Sequence, residues 1–179
     1  MMKTDVITID NMGNGFREAV DQAEKAAALN ELSRAERIHL QLLTEEMLSL
    51  AHSITGEMKA SFWIENEGKN FELHMTTKTI MDAEKRALFI ESSSSRKNEA
   101  AKTILGLLRE VVEQMMTPAA ASAYPSAFYL SNMNFDVYKE PVMWDGYERS
   151  ILLKVADDVK VAIRGDLVEV TVIKNFENN

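Results

Sequence analysis

"LSRAERIHLQLLTEEMLSLAHSITGEMKASFWIENEGKNFELHMTTKT", Leu32 to Thr79, decides the fold, because its hydrophobic period changes once along its length. Before Gly56, apolar side chains recur at Ile38, Leu42, Leu43, Met47, Leu50 and Ile54, the spacing of one helix face. Ser33 and Glu36 make an S-x-x-E capping pair, which predicts a helix starting just after Ser33. Gly56 is its stop. From there the period drops to two. Met58, Ala60, Phe62 and Ile64 alternate with polar residues, "ENEGKN" supplies a turn, and Phe71, Leu73 and Met75 alternate again. The pattern predicts a hairpin with one buried face.

Reading outward, "DVITID" (5–10) is a short first strand with Val6 and Thr8 alternating with Ile7 and Ile9, ended by "NMGNG". "FREAVDQAEKAAALNEL" (16–32) repeats Phe16, Val20, Ala23 and Ala27 at helical spacing. Asp82 to Ile90 reads as a short helix and "ESSSSRKN" (91–98) as a solvated polar loop that caps the next helix. That helix, "EAAKTILGLLREVVEQMM" (99–116), is strongly amphipathic and ends before Pro118. A Pro- and aromatic-rich stretch without clear period comes after it. "YERSILLKVADD" (147–158) fits a helix with Tyr147, Ile151, Leu152 and Val155 inward. "VKVAIRGDLVEVTVIKNF" (159–176) is a hairpin turning at Gly165-Asp166, with Val159, Val161 and Ile163 facing Val168, Val170 and Val172.

The bulk numbers narrow the function. A chain of 179 residues, 46% hydrophobic, suits one domain with a packed core. A formal charge of −8 argues against a general nucleic-acid binder, whose footprint is basic. The absence of cysteine removes disulfides, thiolate metal sites and thiol nucleophiles. His39, His52 and His74 show no metal-ligand spacing; the last two read as surface or hairpin residues. Mean hydropathy is −0.20 and no run is long enough to span a membrane, so a cytoplasmic protein without membrane contact is expected.

The order strand, helix, helix, hairpin, long connection, helix, hairpin resembles the histidine-kinase-like ATPase fold of the GHKL superfamily, most closely its anti-sigma-factor serine kinases. The likeness runs over Asp5 to Asn66, Phe71 to Thr79 and Tyr147 to Lys174. It rests on "VITID", on "LSRAERIHLQLLTEEML" with its L-x-x-E-E-x-L ending, on "KNFELHMTTKT", and on "LLKVADDVKVAIRGDLVEVTVIK". It implies an α+β protein: a two-layer α/β sandwich, its sheet mixed but mostly antiparallel, with helices on one face. Residues 1–179 would form a single domain carrying an insertion at about 82–146.

The resemblance also implies where chemistry would sit. The family's second helix carries E-x-x-x-N: the Glu activates the group attacking the γ-phosphate, and the Asn holds Mg²⁺. Here Glu46 falls on the acid and Leu50 on the amide, and leucine has no oxygen for a hard cation. The adenine-binding D-x-G falls on Thr77 and Thr79. Of the Gly-rich phosphate element, "WDGYERS" keeps only Gly146. Glu46 is thus either an acid facing a nucleotide pocket or an ordinary helix glutamate, and the second reading is preferred because a base without its metal does little phosphoryl chemistry. The expectation is a regulatory or interaction protein with a degenerate nucleotide site, no cofactor, and a protein partner or homodimer. The alternatives are an ATP- and Mg-dependent serine kinase of the anti-sigma type, with Glu46 as base, and a structural homodimer subunit.

Overall fold

The computed structural model describes residues 1–10, 12–56, 59–101 and 151–177. Strands β1 (Met2–Lys3) and β2 (Ile7–Asp10) precede helices α1 (Phe16–Leu29) and α2 (Arg34–Thr55). Next in the chain are strands β3 (Lys59–Glu67) and β4 (Asn70–Lys78), helix α3 (Ala83–Glu91) and a 3-10 turn (Glu99–Ala101). Residues 151–155 are helical, and β5 (Asp158–Arg164) and β6 (Leu167–Asn175) close the described chain. The protein is α+β.

The six strands form one sheet in the order β1-β3-β4-β6-β5, with β2 also on β3. Every pair of named strands is antiparallel, which corrects the mixed sheet that the resemblance implies. Hairpins make two of the pairings, and β4 meets β6 head to tail, so no crossover imposes a parallel pair. Among the described residues, the one parallel contact is an isolated bridge between Asn98 and Val161. β1 and β2 share the outer side of β3: Lys3 stands opposite Glu65 and Ile7 opposite Phe62. Residues 4–6 therefore face only 63–64, an extra residue that makes a β-bulge in the edge strand.

The predicted hairpin faces hold. Ala60, Phe62, Ile64, Phe71, Leu73 and Met75 are buried, and Val159, Val161 and Ile163 pair with Val172, Val170 and Val168. These side chains join one core with Ala19, Ala23, Ala26 and Ala27 of α1 and Leu40, Leu43, Met47 and Leu50 of α2. Their alternate neighbours, such as Trp63, His74, Thr76 and Thr171, lie half-buried on the opposite face. The helices α1 and α2 thus cover one face of the sheet.

The cap on α2 forms as expected: Ser33 Oγ accepts from Glu36 N, and Glu36 Oε2 accepts from Ser33 N. Gly56 ends the helix in the left-handed conformation, φ +69°. The expected stripe needs correction. Ile38 is 52% exposed and Leu42 half-buried, while Leu40, Thr44, Leu48 and Ala51 are buried. α2 has α1 and α3 beside it as well as the sheet, so it buries a wider arc than a surface helix. Thr44 tolerates this because its hydroxyl donates to Leu40 O at 3.0 Å.

The 91–98 loop is also not what its composition suggests. Ser92, Ser93 and Asn98 are buried. Residues 94–98 lie along the outer edge of β5 as a strap. Ser94 N donates to Val159 O, and Ser94 Oγ accepts from Val159 N, both at 2.8 Å. Asn98 Nδ2 donates to Ile163 O at 3.0 Å, and its Oδ1 accepts from Ile163 N at 2.8 Å. Asn98 is buried here because strand-edge backbone groups need partners, while the Ser92 and Ser93 hydroxyls donate to Phe89 O and Ile90 O at the end of α3, and Ser94 to Lys97 stay exposed. The opening of the expected insertion is thus part of the fold, with Phe89 of α3 fully buried in the core. The amphipathic helix expected beyond Ala101 and the aromatic stretch after it lie outside the described residues.

Candidate functional site

Among the described residues, Glu46 and Leu50 lie on α2, Thr77 on β4 and Thr79 just past it. Glu46 is half-buried on α2, with Leu43 and Leu50, one turn before and after it, in the core. Leu50 is 3% exposed, so the position expected to carry a metal-binding amide is a packing residue. Thr77 continues the buried row of Phe71, Leu73 and Met75, and its hydroxyl donates to Lys59 O at 3.2 Å. Thr79 lies just past β4, where its N–H donates to Asp166 O at 2.9 Å. Gly146 lies outside the described residues. Leu50 and Thr77, the two described positions that the resemblance assigns to the metal and the adenine, are both core positions. Leu50 offers a cation a hydrocarbon, and Thr77 is 2% exposed. Among the described residues, no group of His, Asp and Glu could hold a metal ion.

The other face of the sheet carries a denser constellation. β3 and β4 put Trp63 opposite His74, and the rings stack at 5.1 Å between centroids and 10° between planes. Lys3 Nζ sits 4.7 Å from the Trp63 ring centroid. Glu65 ties these groups together: its Oε1 accepts from Lys3 Nζ at 2.8 Å and from Trp63 Nε1 at 3.0 Å. Those two bonds, Lys3 first, hold the Glu65 carboxyl below its ordinary range.

His74 is the titratable centre of this cluster. Its Nδ1 is 3.3 Å from the Thr171 hydroxyl of β6. Its Nε2 lies 3.4 Å from Glu72 Oε2 and 3.9 Å from Glu65 Oε2, without the alignment of a hydrogen bond. Burial pushes the imidazole below its ordinary value, and it outweighs the opposing pull of Glu65 and Glu72. The net effect favours the neutral ring. A shallow recess of about 180 Å³ opens beside it, lined by Trp63, Thr76, Glu169 and Thr171 among others. Chemically, the cluster can take up a proton at His74 between carboxylates.

Sequence reasoning assigned His74 to the hairpin and passed over Trp63, Lys3 and Glu72. The hairpin alternation did carry a signal, since it places Trp63 and His74 on the polar face. Their pairing needed the β3–β4 register, and Lys3 needed a strand that two residues cannot announce. His52 is exposed in the last turn of α2.

No helix among the described residues is long and apolar enough to cross a membrane. No protein-family model matches the chain, and no curated protein matches it either.

Proposed function

We propose that this chain is a regulatory protein built on a histidine-kinase-like ATPase fold, related to anti-sigma-factor kinases, that acts through a protein partner rather than by phosphoryl transfer. The observation that carries the reading is Leu50. It lies one turn after Glu46, where the fold's chemistry calls for an oxygen ligand, and it is 3% exposed in the hydrophobic core. Thr77, 2% exposed and a neutral acceptor where the fold's chemistry calls for a carboxylate, supports the same reading for the adenine end. The element order, and helices α1 and α2 on one face of the sheet, support the proposed ancestry, while the antiparallel pairing of all the named strands departs from its mixed sheet.

Calorimetric titration of ATP, with and without Mg²⁺, tests the reading. The expected result is binding no tighter than the high micromolar range, about −5.5 kcal/mol or weaker. Tight, Mg²⁺-dependent binding would overturn it and make the chain a serine kinase with Glu46 as base.

A further inference from the structure

The outer edge of β5 is held by two side chains and the Ser94 backbone N–H where another strand could lie. The strap 94–98 satisfies the backbone N–H and C=O of Val159 through Ser94, and those of Ile163 through Asn98. Both groups of both residues therefore point outward from the sheet, and Val161, between them and in the same phase, bridges to Asn98. An edge whose groups are presented this way is a template for pairing with another chain.

The sequence of this edge fits itself. Set β5 antiparallel to a second β5 about Val161. Val159 then stands opposite the partner's Ile163, and Lys160 opposite Ala162. Asp158 stands opposite Arg164, and the symmetry repeats each match. The phase is also right. Residues whose N–H and C=O both point outward must form the hydrogen-bonded pairs, and Val159 with Ile163 is such a pair. Asp158 and Arg164 fall in the closer, non-hydrogen-bonded pairs, where opposite charges contribute most directly. Both are accessible, with side chains 41% and 56% exposed. Their present ion pairs, Asp158 with Lys160 at 3.8 Å and Arg164 with Glu169 at 3.4 Å, are long and solvent-exposed.

We infer that the β5 edge is a homotypic interface for a second copy of this chain, and that the strap 94–98 is its built-in competitor. Strapped, the chain is monomeric at this edge. With the strap displaced, two chains join their sheets across a twofold axis at Val161. The same four backbone groups cannot serve both arrangements, so strap and partner exclude one another. The inference stands apart from the nucleotide question, and ATP binding neither supports nor opposes it.

Sedimentation of the full chain and its variants tests this. S94A/N98A removes the strap's side-chain bonds and is expected to shift the chain toward dimer at concentrations where the parent is monomeric. D158R and R164D each place like charges opposite one another at both ends of the paired strands. Each, added to S94A/N98A, is expected to weaken self-association about tenfold. An equimolar mixture of the two charge variants restores opposite charges at both ends and is expected to recover the dimer. Circular dichroism of each variant checks that it is folded; the Asp158 and Arg164 side chains are 41% and 56% exposed, so the two charge changes are compatible with the fold. A folded S94A/N98A that stays monomeric overturns the inference, as does a dimer indifferent to both charge reversals or a mixture that associates no better than its components.

Discussion

Trp63 and His74 stack face to face on the side of the sheet opposite α1 and α2, 5.1 Å between ring centroids, with Lys3 on the Trp63 ring and two carboxylates near the imidazole. A protonated imidazole in contact with an indole quenches its fluorescence, so Trp63 reports the charge on His74. In a W144F background Trp63 is the chain's one tryptophan. Its emission is expected to fall on acidification with a midpoint below 6.5, the ordinary histidine value. A fluorimetric pH titration checks this, and H74Q is expected to abolish the transition.

The same shift links stability to pH. His74 binds its proton less readily in the folded chain, because burial penalises the charged ring. Between its folded value and 6.5, the unfolded chain binds more protons, so stability rises with pH there. The contribution is fully present above 6.5, is lost progressively as pH falls, and changes no further below the folded value. Urea unfolding midpoints measured across this window are expected to fall less steeply with acid in H74Q than in the parent.

Gly15 caps α1 with φ +79°, and a Cβ there would stand 2.2 Å from Thr8 O, a backbone atom that cannot move aside. Gly13 has a similar φ of +80° but open space around it. Gly13→Ala should therefore show backbone strain alone, about 1–3 kcal/mol. Gly15→Ala should lose more, because the clash adds to the strain. Comparing the two by denaturant unfolding separates conformation from contact.

Leu50→Asn would place the amide that nucleotide chemistry requires into the core. Since Leu50 is 3% exposed, the change removes apolar packing and buries a polar group, a loss of about 3 kcal/mol. Ile38→Asn on the same helix, at a site 52% exposed, is expected to cost about 0.5 kcal/mol or less. Urea unfolding of the two variants measures the contrast. Equal losses would show that the amide position is not a core position.

Much of the fold was legible because its signals are local. The capping pair Ser33 and Glu36 are three residues apart, and the alternation of Val159, Val161 and Ile163 against Val168, Val170 and Val172 is set by a tight turn. Helix and strand periods, caps and turns are written over a few residues, and each placed its element. The candidate site was half legible: alternation alone puts Trp63 and His74 on the polar face, while the stacking of their rings was not to be read from it.

What the chain could not announce was every choice made between distant segments. That β4 pairs with β6, that Lys3 reaches Trp63 across a bulged edge, and that Leu40 rather than Ile38 turns inward all depend on which surfaces meet. "ESSSSRKN" is the sharpest case. By composition it belongs in water, yet Ser92 and Ser93 are buried with their hydroxyls on Phe89 O and Ile90 O of α3, and Asn98 is buried against Ile163 of β5, some 65 residues away in the chain, whose edge backbone groups need partners. Hydrophobic period is a property of neighbours in sequence, whereas a strand edge recruits its partner from whatever the tertiary fold brings alongside.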